Sequence, residues 1–231
     1  MTLAIAHRGD PIGAVENTLD AVVAAVGLGA DAIEVDVRLT RDGTVVLHHD
    51  TDLQRLWKHP AAIARTAFAE LRRLAPRVPT LDEALDAVRD TGTPLVLDVA
   101  DADVALAAYA VAERAGALDR LWFCGDAVAL AAVRARDESI ALMLTWEKVR
   151  GPGERTLEAT RPTFFNPFHR LVSRGSVRAW HEHGVKVCAW TVDDPGRLAR
   201  LTEWGIDAII SNNVAAAVAS VAGSGPSYAG R

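Results

Sequence analysis

Eight short apolar runs separated by helical stretches constrain this chain more than any other feature. They are Leu3 to Ala6, Ala32 to Leu39, Pro94 to Val99, Leu121 to Cys124, Ile140 to Thr145, Thr163 to Asn166, Lys186 to Thr191 and Asp207 to Ser211. Helical patterns at Leu19 to Leu28, Leu81 to Arg89, Asp101 to Gly116, Asp126 to Arg136, Val172 to His183 and Pro195 to Gly205 lie between most of them. Near-continuous apolar strands alternating with helices make a parallel sheet, because the crossover helices cover both of its faces. Eight such strands is the number that closes an α/β fold into a (β/α)8 barrel (TIM barrel), with functional groups at the carboxyl ends of the strands. The count requires the further run Thr44 to His49 to be a hairpin arm above the sheet. The 231 residues, half of them hydrophobic, suffice for one well-cored domain. We read residues 1–222 as that domain, with the hairpin and a small insertion after the second strand at about 38–79. The insertion carries one predicted helix, Ala67 to Leu74, and the tail from Gly223 reads as disordered.

Within this frame the stretch Ala30 to Asp50, ADAIEVDVRLTRDGTVVLHHD, gathers acids and histidines into one small space. Strand side chains alternate faces, so Glu34 and Asp36 project together. Asp42-Gly43 signals a two-residue hairpin turn. If Arg41 then pairs with Thr44, Asp36 faces His49, with β-carbons about 5 Å apart. Two carboxylates this close repel; either the face is a solvated one with alternating charges, or a divalent metal, the simplest remedy, lies between them. Carboxylate oxygens suit Mg2+ or Ca2+ better than the softer metals. The first strand ends in His7-Arg8-Gly9, which places His7 and Arg8 at the same mouth, and the third strand ends in Asp98, bordering the acids of the second.

Charge and cysteine usage exclude several classes. A net charge of −5 without a basic stripe argues against nucleic acid as a partner. Cys124 and Cys188 sit inside apolar runs and read as buried strand residues rather than a disulfide framework, which fits a reducing cytoplasm. The opening MTLAIAHRGD lacks the pattern of a secretory leader, and no segment has the length of a membrane span. Oligomeric state is left open.

The ordered set His7-Arg8-Gly9, Glu16-Asn17-Thr18, Gly29-Ala30-Asp31, Ile33-Glu34-Val35-Asp36-Val37, Thr40-Arg41-Asp42-Gly43 and His49-Asp50 resembles the glycerophosphodiester phosphodiesterases. Pro79-Thr80-Leu81-Asp82-Glu83, Trp190-Thr191-Val192 and Gly205-Ile206-Asp207-Ala208-Ile209-Ile210 extend the resemblance over nearly the whole chain. It implies a metal-dependent hydrolase that splits a glycerophosphodiester into sn-glycerol 3-phosphate and an alcohol. His7 and His49 match the family's acid/base pair, Arg8 its phosphate-contacting arginine, and Glu34 and Asp36 two of its metal ligands. Asp98 stands where the family usually has glutamate. The attacking oxygen implied is either water or the substrate's own glycerol hydroxyl.

Three departures mark this chain. Asp98-Val99-Ala100 replaces the usual Glu-x-Lys, removing a phosphate-facing cation that Lys148 or Lys186 would have to supply. Leu121 to Gly125 lacks the usual Ser-Phe, and Ser211-Asn212 stands where Thr-Asp is common. Two alternatives accompany the main reading. One is a related phosphodiesterase acting on lysophospholipids or sphingolipids, for which Leu53, Leu56, Trp57 and Phe68 of the insertion would form an apolar rim. The other is a metal-binding homologue with little turnover. Glu16 reads as structural or supporting, Trp190 as barrel-lining, and His48, His59, His169, His181 and His183 as surface or structural.

Overall fold

In the computed structural model, which describes residues 1–222, eight parallel strands close on themselves. These are β1 (Leu3–His7), β2 (Ala32–Leu39), β4 (Leu95–Val99), β5 (Leu121–Gly125), β6 (Ala141–Trp146), β7 (Phe164–Pro167), β8 (Lys186–Ala189) and β9 (Ala208–Ser211). Pairing of β1 with both β2 and β9 completes the ring. The ninth strand, β3 (Val45–Leu47), runs antiparallel to the end of β2, outside the ring. The predicted (β/α)8 barrel with an insertion after its second strand is the observed architecture.

Alternation along each strand separates two apolar layers. Ile33, Val35, Leu95, Leu97 and Phe123 face outward into the layer shared with the helices, while Ile5, Ala32, Val96, Met143, Phe164 and Ala208 fill the barrel. Continuing the inward parity to the carboxyl ends brings up His7, Glu34, Asp36, Asp98 and Cys124. Register joins them sideways, with His7 beside Glu34, Asp36 beside Asp98, and Asp98 beside Cys124.

The helices begin where the capping signals lie. Thr18 caps α1 (Leu19–Gly27), and Thr80 with Glu83 forms a capping box on α4 (Leu81–Ala87). Asp101, Asp126, Ser173 and Asp194 cap α5 (Ala102–Ala115), α6 (Ala127–Arg136), α8 (Arg174–Glu182) and α9 (Pro195–Glu203). Three helices were not anticipated: α2 (Gln54–Trp57), α7 (Glu154–Thr160) and α10 (Val214–Ala222). The first is a single turn, the second is short and mostly polar, and the third is Ala/Val-rich with little polar face, so none shows strong 3.6-residue periodicity. The predicted insertion helix is α3 (Phe68–Leu74). The tail from Gly223 lies outside the described residues.

The hairpin register differs from expectation by one residue. Gly43 takes φ +80°, Gly43 N–H donates to the Thr40 carbonyl, and Thr40 pairs with Thr44. The loop therefore holds three residues, a turn closed by a left-handed glycine, rather than two. Val37 faces Leu47, and His48, not His49, lies opposite Asp36, donating its backbone N–H to the Asp36 carbonyl at 2.9 Å. His49 is thereby released from the ladder.

Candidate active site

At the carboxyl end of the barrel, His7, Arg8, Glu34, His49, Asp98, Cys124, Thr145, Glu147, Asn166, Trp190 and Ile210 line a cavity of about 260 Å³. Five of the six residues singled out from the sequence are on its wall. The sixth, Asp36, stands behind Arg8: its Oδ2 is 3.1 Å from Arg8 Nε and accepts a hydrogen bond from Asn17 Nδ2 at 2.7 Å.

The turn after β1 presents Arg8. Arg8 and Asn17 adopt φ of +63° and +56°, uncommon for residues with a side chain, and their backbones bond to each other. Gly9 is required beside them, because a β-carbon there would stand 2.5 Å from the Ala21 carbonyl carbon. The Arg8 backbone N–H donates to Glu34 Oε2 at 3.0 Å, while the guanidinium is held between two acids, Nη1 donating to Glu16 Oε1 at 2.8 Å and Nε facing Asp36 Oδ2.

His7 Nδ1 lies 2.8 Å from Asn212 Oδ1; an amide oxygen can only accept, so Nδ1 carries the hydrogen and Nε2 is left as an acceptor, 3.9 Å from Glu34 Oε2. Asn212 is fixed in turn by Asp193, which accepts from its backbone N–H and its side-chain amide at 2.8 Å each. Burial and the neighbouring Arg8 charge hold the His7 pKa below its ordinary value. His49 sits past the end of β3, where Arg38 Nε donates to its carbonyl at 3.0 Å and its Nδ1 meets Asp50 Oδ1 at 2.7 Å.

An ionic chain connects the two histidine regions. Arg55, from α2, donates to Asp50 Oδ2 and Glu16 Oε1, each at 2.6 Å, and Glu16 passes to Arg8. Burial disfavours their ionisation, yet hydrogen bonds from Arg55, joined by Arg8 on Glu16 and by His49 on Asp50, hold both acids down at about 2. Glu16 thus orients Arg8. Arg38, Arg55 and Asp193 were not singled out in the sequence, and Asp50 and Asn212 were quoted only within the pairs His49-Asp50 and Ser211-Asn212, with no role, since most of their contacts are tertiary.

Glu34 and Asp98 face the opposite situation. Burial, then the charges of Asp36 and Asp98, push Glu34 well above the usual carboxylate range, and burial, then Asp36, pushes Asp98 up to about 7. Ligand atoms of Glu34, Asp98 and Cys124 all lie within 4.8 Å of one another. A buried and a half-buried carboxylate whose ionisation is disfavoured by burial and by neighbouring acids are a donor set that a divalent cation fits, because the cation would let both ionise.

The departures near Asp98 also find their places. Lys148 lines an adjoining cleft of about 660 Å³ with Asp98 and Ala100, its Nζ 5.3 Å from the centre of the Trp146 ring. Lys186 begins β8 at the opposite end of the barrel, over Phe164. Trp190 lines the wall as expected, its Nε1 donating to the Asn166 carbonyl at 3.0 Å. Cys124 and Cys188 are buried, unpaired strand residues, also as expected.

Comparison with known proteins agrees with this geometry. Residues 7–216 match the model of the glycerophosphoryl diester phosphodiesterase family. Glycerophosphodiester phosphodiesterase of Caldanaerobacter subterraneus subsp. tengcongensis is 27% identical over 239 residues, covering 92% of this chain and 94% of its own. Glycerophosphodiester phosphodiesterase GDPD4 of Arabidopsis thaliana is 26% identical, over 91% of this chain and 70% of its own. A phosphodiesterase of Oleispira antarctica, solved in complex with the product sn-glycerol-3-phosphate, superposes with a TM-score of 0.87 at 25% identity, covering 96% of this chain and 97% of its own. With the motifs, the barrel and the matched span in agreement, this chain belongs to the glycerophosphoryl diester phosphodiesterase family, whose members are phosphoric diester hydrolases.

Proposed function

We propose that this protein hydrolyses glycerophosphodiesters to sn-glycerol 3-phosphate and an alcohol, using one divalent metal and a pair of histidines. The observation that carries the reading is the convergence of His7, Arg8, Glu34, His49 and Asp98 on one cavity at the carboxyl end of the barrel. Glu34, Asp36 and Asp98 would hold the metal. When bound, a divalent ion supplies Lewis-acid stabilisation of the charge that builds on the phosphoryl oxygens.

The protein's own groups do the rest. Arg8, held by Glu16 and Asp36, presents a guanidinium that pairs with a non-bridging phosphate oxygen as its charge grows. His7, with its pKa lowered, is neutral near pH 7, and its free Nε2 takes the proton from the attacking oxygen, water or the glycerol hydroxyl. The bond from phosphorus to the leaving alcohol breaks, and His49, oriented through Asp50, delivers a proton to that oxygen. A cytoplasmic setting belongs to this reading, supported by the two unpaired thiols.

The lipid alternative has less support. Leu53 is fully buried with Ile63 and Leu71 in a small core of the insertion, and the half-buried Trp57 and Phe68 pack against it, so of the four expected rim residues Leu56 alone is not committed to that core. Release of sn-glycerol 3-phosphate from glycerophosphocholine and glycerophosphoethanolamine, with Mg2+, with Ca2+ and with chelator, tests the proposal. Metal-dependent release is expected; no release from folded protein under any condition would overturn it.

A further inference from the structure

The structure assigns Cys124 as a sulfur ligand of the metal centre, which makes this centre one for borderline metals such as Zn2+ and Co2+ rather than an all-oxygen site. The assignment rests on the reading of the cavity as a metal site and names a donor that reading did not require.

Three observations carry it. First, the ligand atoms that converge within 4.8 Å are those of Glu34, Asp98 and Cys124, whereas Asp36 has one oxygen engaged by Arg8 and Asn17. Second, the next residue makes room for this approach. Gly125 takes φ +128°, and a β-carbon there would stand 2.8 Å from Asp98 Oδ1 and 2.3 Å from the Val99 carbonyl oxygen. The Val99 carbonyl alone requires glycine here, and the absent side chain leaves the Asp98 carboxylate room to lie against the strand that carries Cys124. An aspartate, one methylene shorter than glutamate, keeps its carboxylate beside its own strand and within reach of the register partner Cys124. Third, Asn166, 2% exposed on the wall of the same cavity, has a buried Oδ1 without a hydrogen-bond partner, so the pocket holds a further oxygen donor not committed elsewhere.

The chemistry follows from donor softness. Thiolate sulfur favours Zn2+ and its analogues, while Mg2+ and Ca2+ gain little from it. On binding, the Cys124 S–H bond breaks, the Sγ–metal bond forms, and the proton leaves to solvent. Cys188 faces the same barrel interior from β8 but is not part of the converging group among the described residues, and it serves as the internal control.

Co2+ added to metal-free protein provides the test, because a thiolate ligand gives a near-ultraviolet sulfur-to-Co2+ charge-transfer band that carboxylates cannot give. The wild type and Cys188→Ser are expected to show the band and Cys124→Ser to lose it, with Co2+ affinity falling at least about tenfold and Mg2+ affinity unchanged. Wild-type protein that binds Co2+ without the band, or a band that survives in Cys124→Ser, overturns the assignment. Failure of Co2+ to bind at all does so too. The wild-type spectrum decides even if Cys124→Ser does not fold. Release of sn-glycerol 3-phosphate, followed in the same samples, separates the two readings: metal-dependent release without the band removes the sulfur ligand and leaves the hydrolase, while the band without release does the reverse.

Discussion

Replacing Asp98 by asparagine should raise the stability of the metal-free protein while abolishing turnover of the metal-supplied one, and pH should control the size of the gain. The folded protein holds Asp98 at about 7, and the unfolded chain at about 3.9. Below pH 4 the carboxyl is protonated in both states and nothing is lost. Between about pH 4 and 7 the unfolded chain ionises first and binds fewer protons than the native state, so stability falls as pH rises. Above pH 7 the loss is constant, near three pK units or about 4 kcal/mol. Asparagine has no such dependence, and it also relieves Glu34, whose pKa is raised partly by Asp98. Between pH 5 and 8 the variant's advantage should grow by about 3 kcal/mol, or roughly 6 to 12 °C of melting temperature for a chain of this size. Thermal melts in chelator across that range give the measurement. A pH-independent gap, or a variant less stable at pH 8, would refute the argument that the acids oppose one another in the empty site.

Further outcomes concern catalysis. His49→Asn should lower kcat by about 10² to 10⁴ with metal affinity unchanged in a titration, and an unaltered rate would remove it from proton transfer. Asn212→Asp places a carboxylate against His7 Nδ1 and favours the imidazolium, so the acidic limb of the kcat/KM profile should move up by roughly one unit, a shift read directly from the pH–rate curve. Lys148→Ala should raise KM about two- to fivefold with kcat little changed, more at low salt than at high, if Lys148 supplies the charge missing at Ala100.

The barrel was legible because its information is local. A buried parallel strand is apolar throughout, and caps such as Thr80 with Glu83 sit at fixed offsets from the helix start, so strand and helix positions follow from short windows. The inward parity of Glu34, Asp36 and Asp98 is equally local. What the sequence concealed depends on contacts distant along the chain. Asn212 meets His7 across 205 positions, and Arg55 meets Glu16 across 39. The hairpin shows how His49 reached the site by a different route from the one inferred. Asp42-Gly43 marks the turn, but the left-handed Gly43 fixed a three-residue loop, and His49 faces the cavity because it has left the ladder rather than because it pairs with Asp36.

The small apolar core of the insertion divides the enzyme into parts of unequal persistence. His7, Glu34 and Asp98 belong to strands of the closed ring, whose opening requires the whole barrel to unfold. His49 belongs to the segment between β3 and α2, secured by three ladder pairs, by Arg38 and by the chain through Asp50, Arg55 and Glu16. Those ion pairs are partly exposed and screened by salt, so the insertion can open as a separate cooperative unit while the ring persists. Heat or salt should then withdraw one histidine before the candidate cation site is disturbed. The protein would pass through a state that keeps Glu34, Asp98 and Arg8 in place but has lost His49 from the cavity.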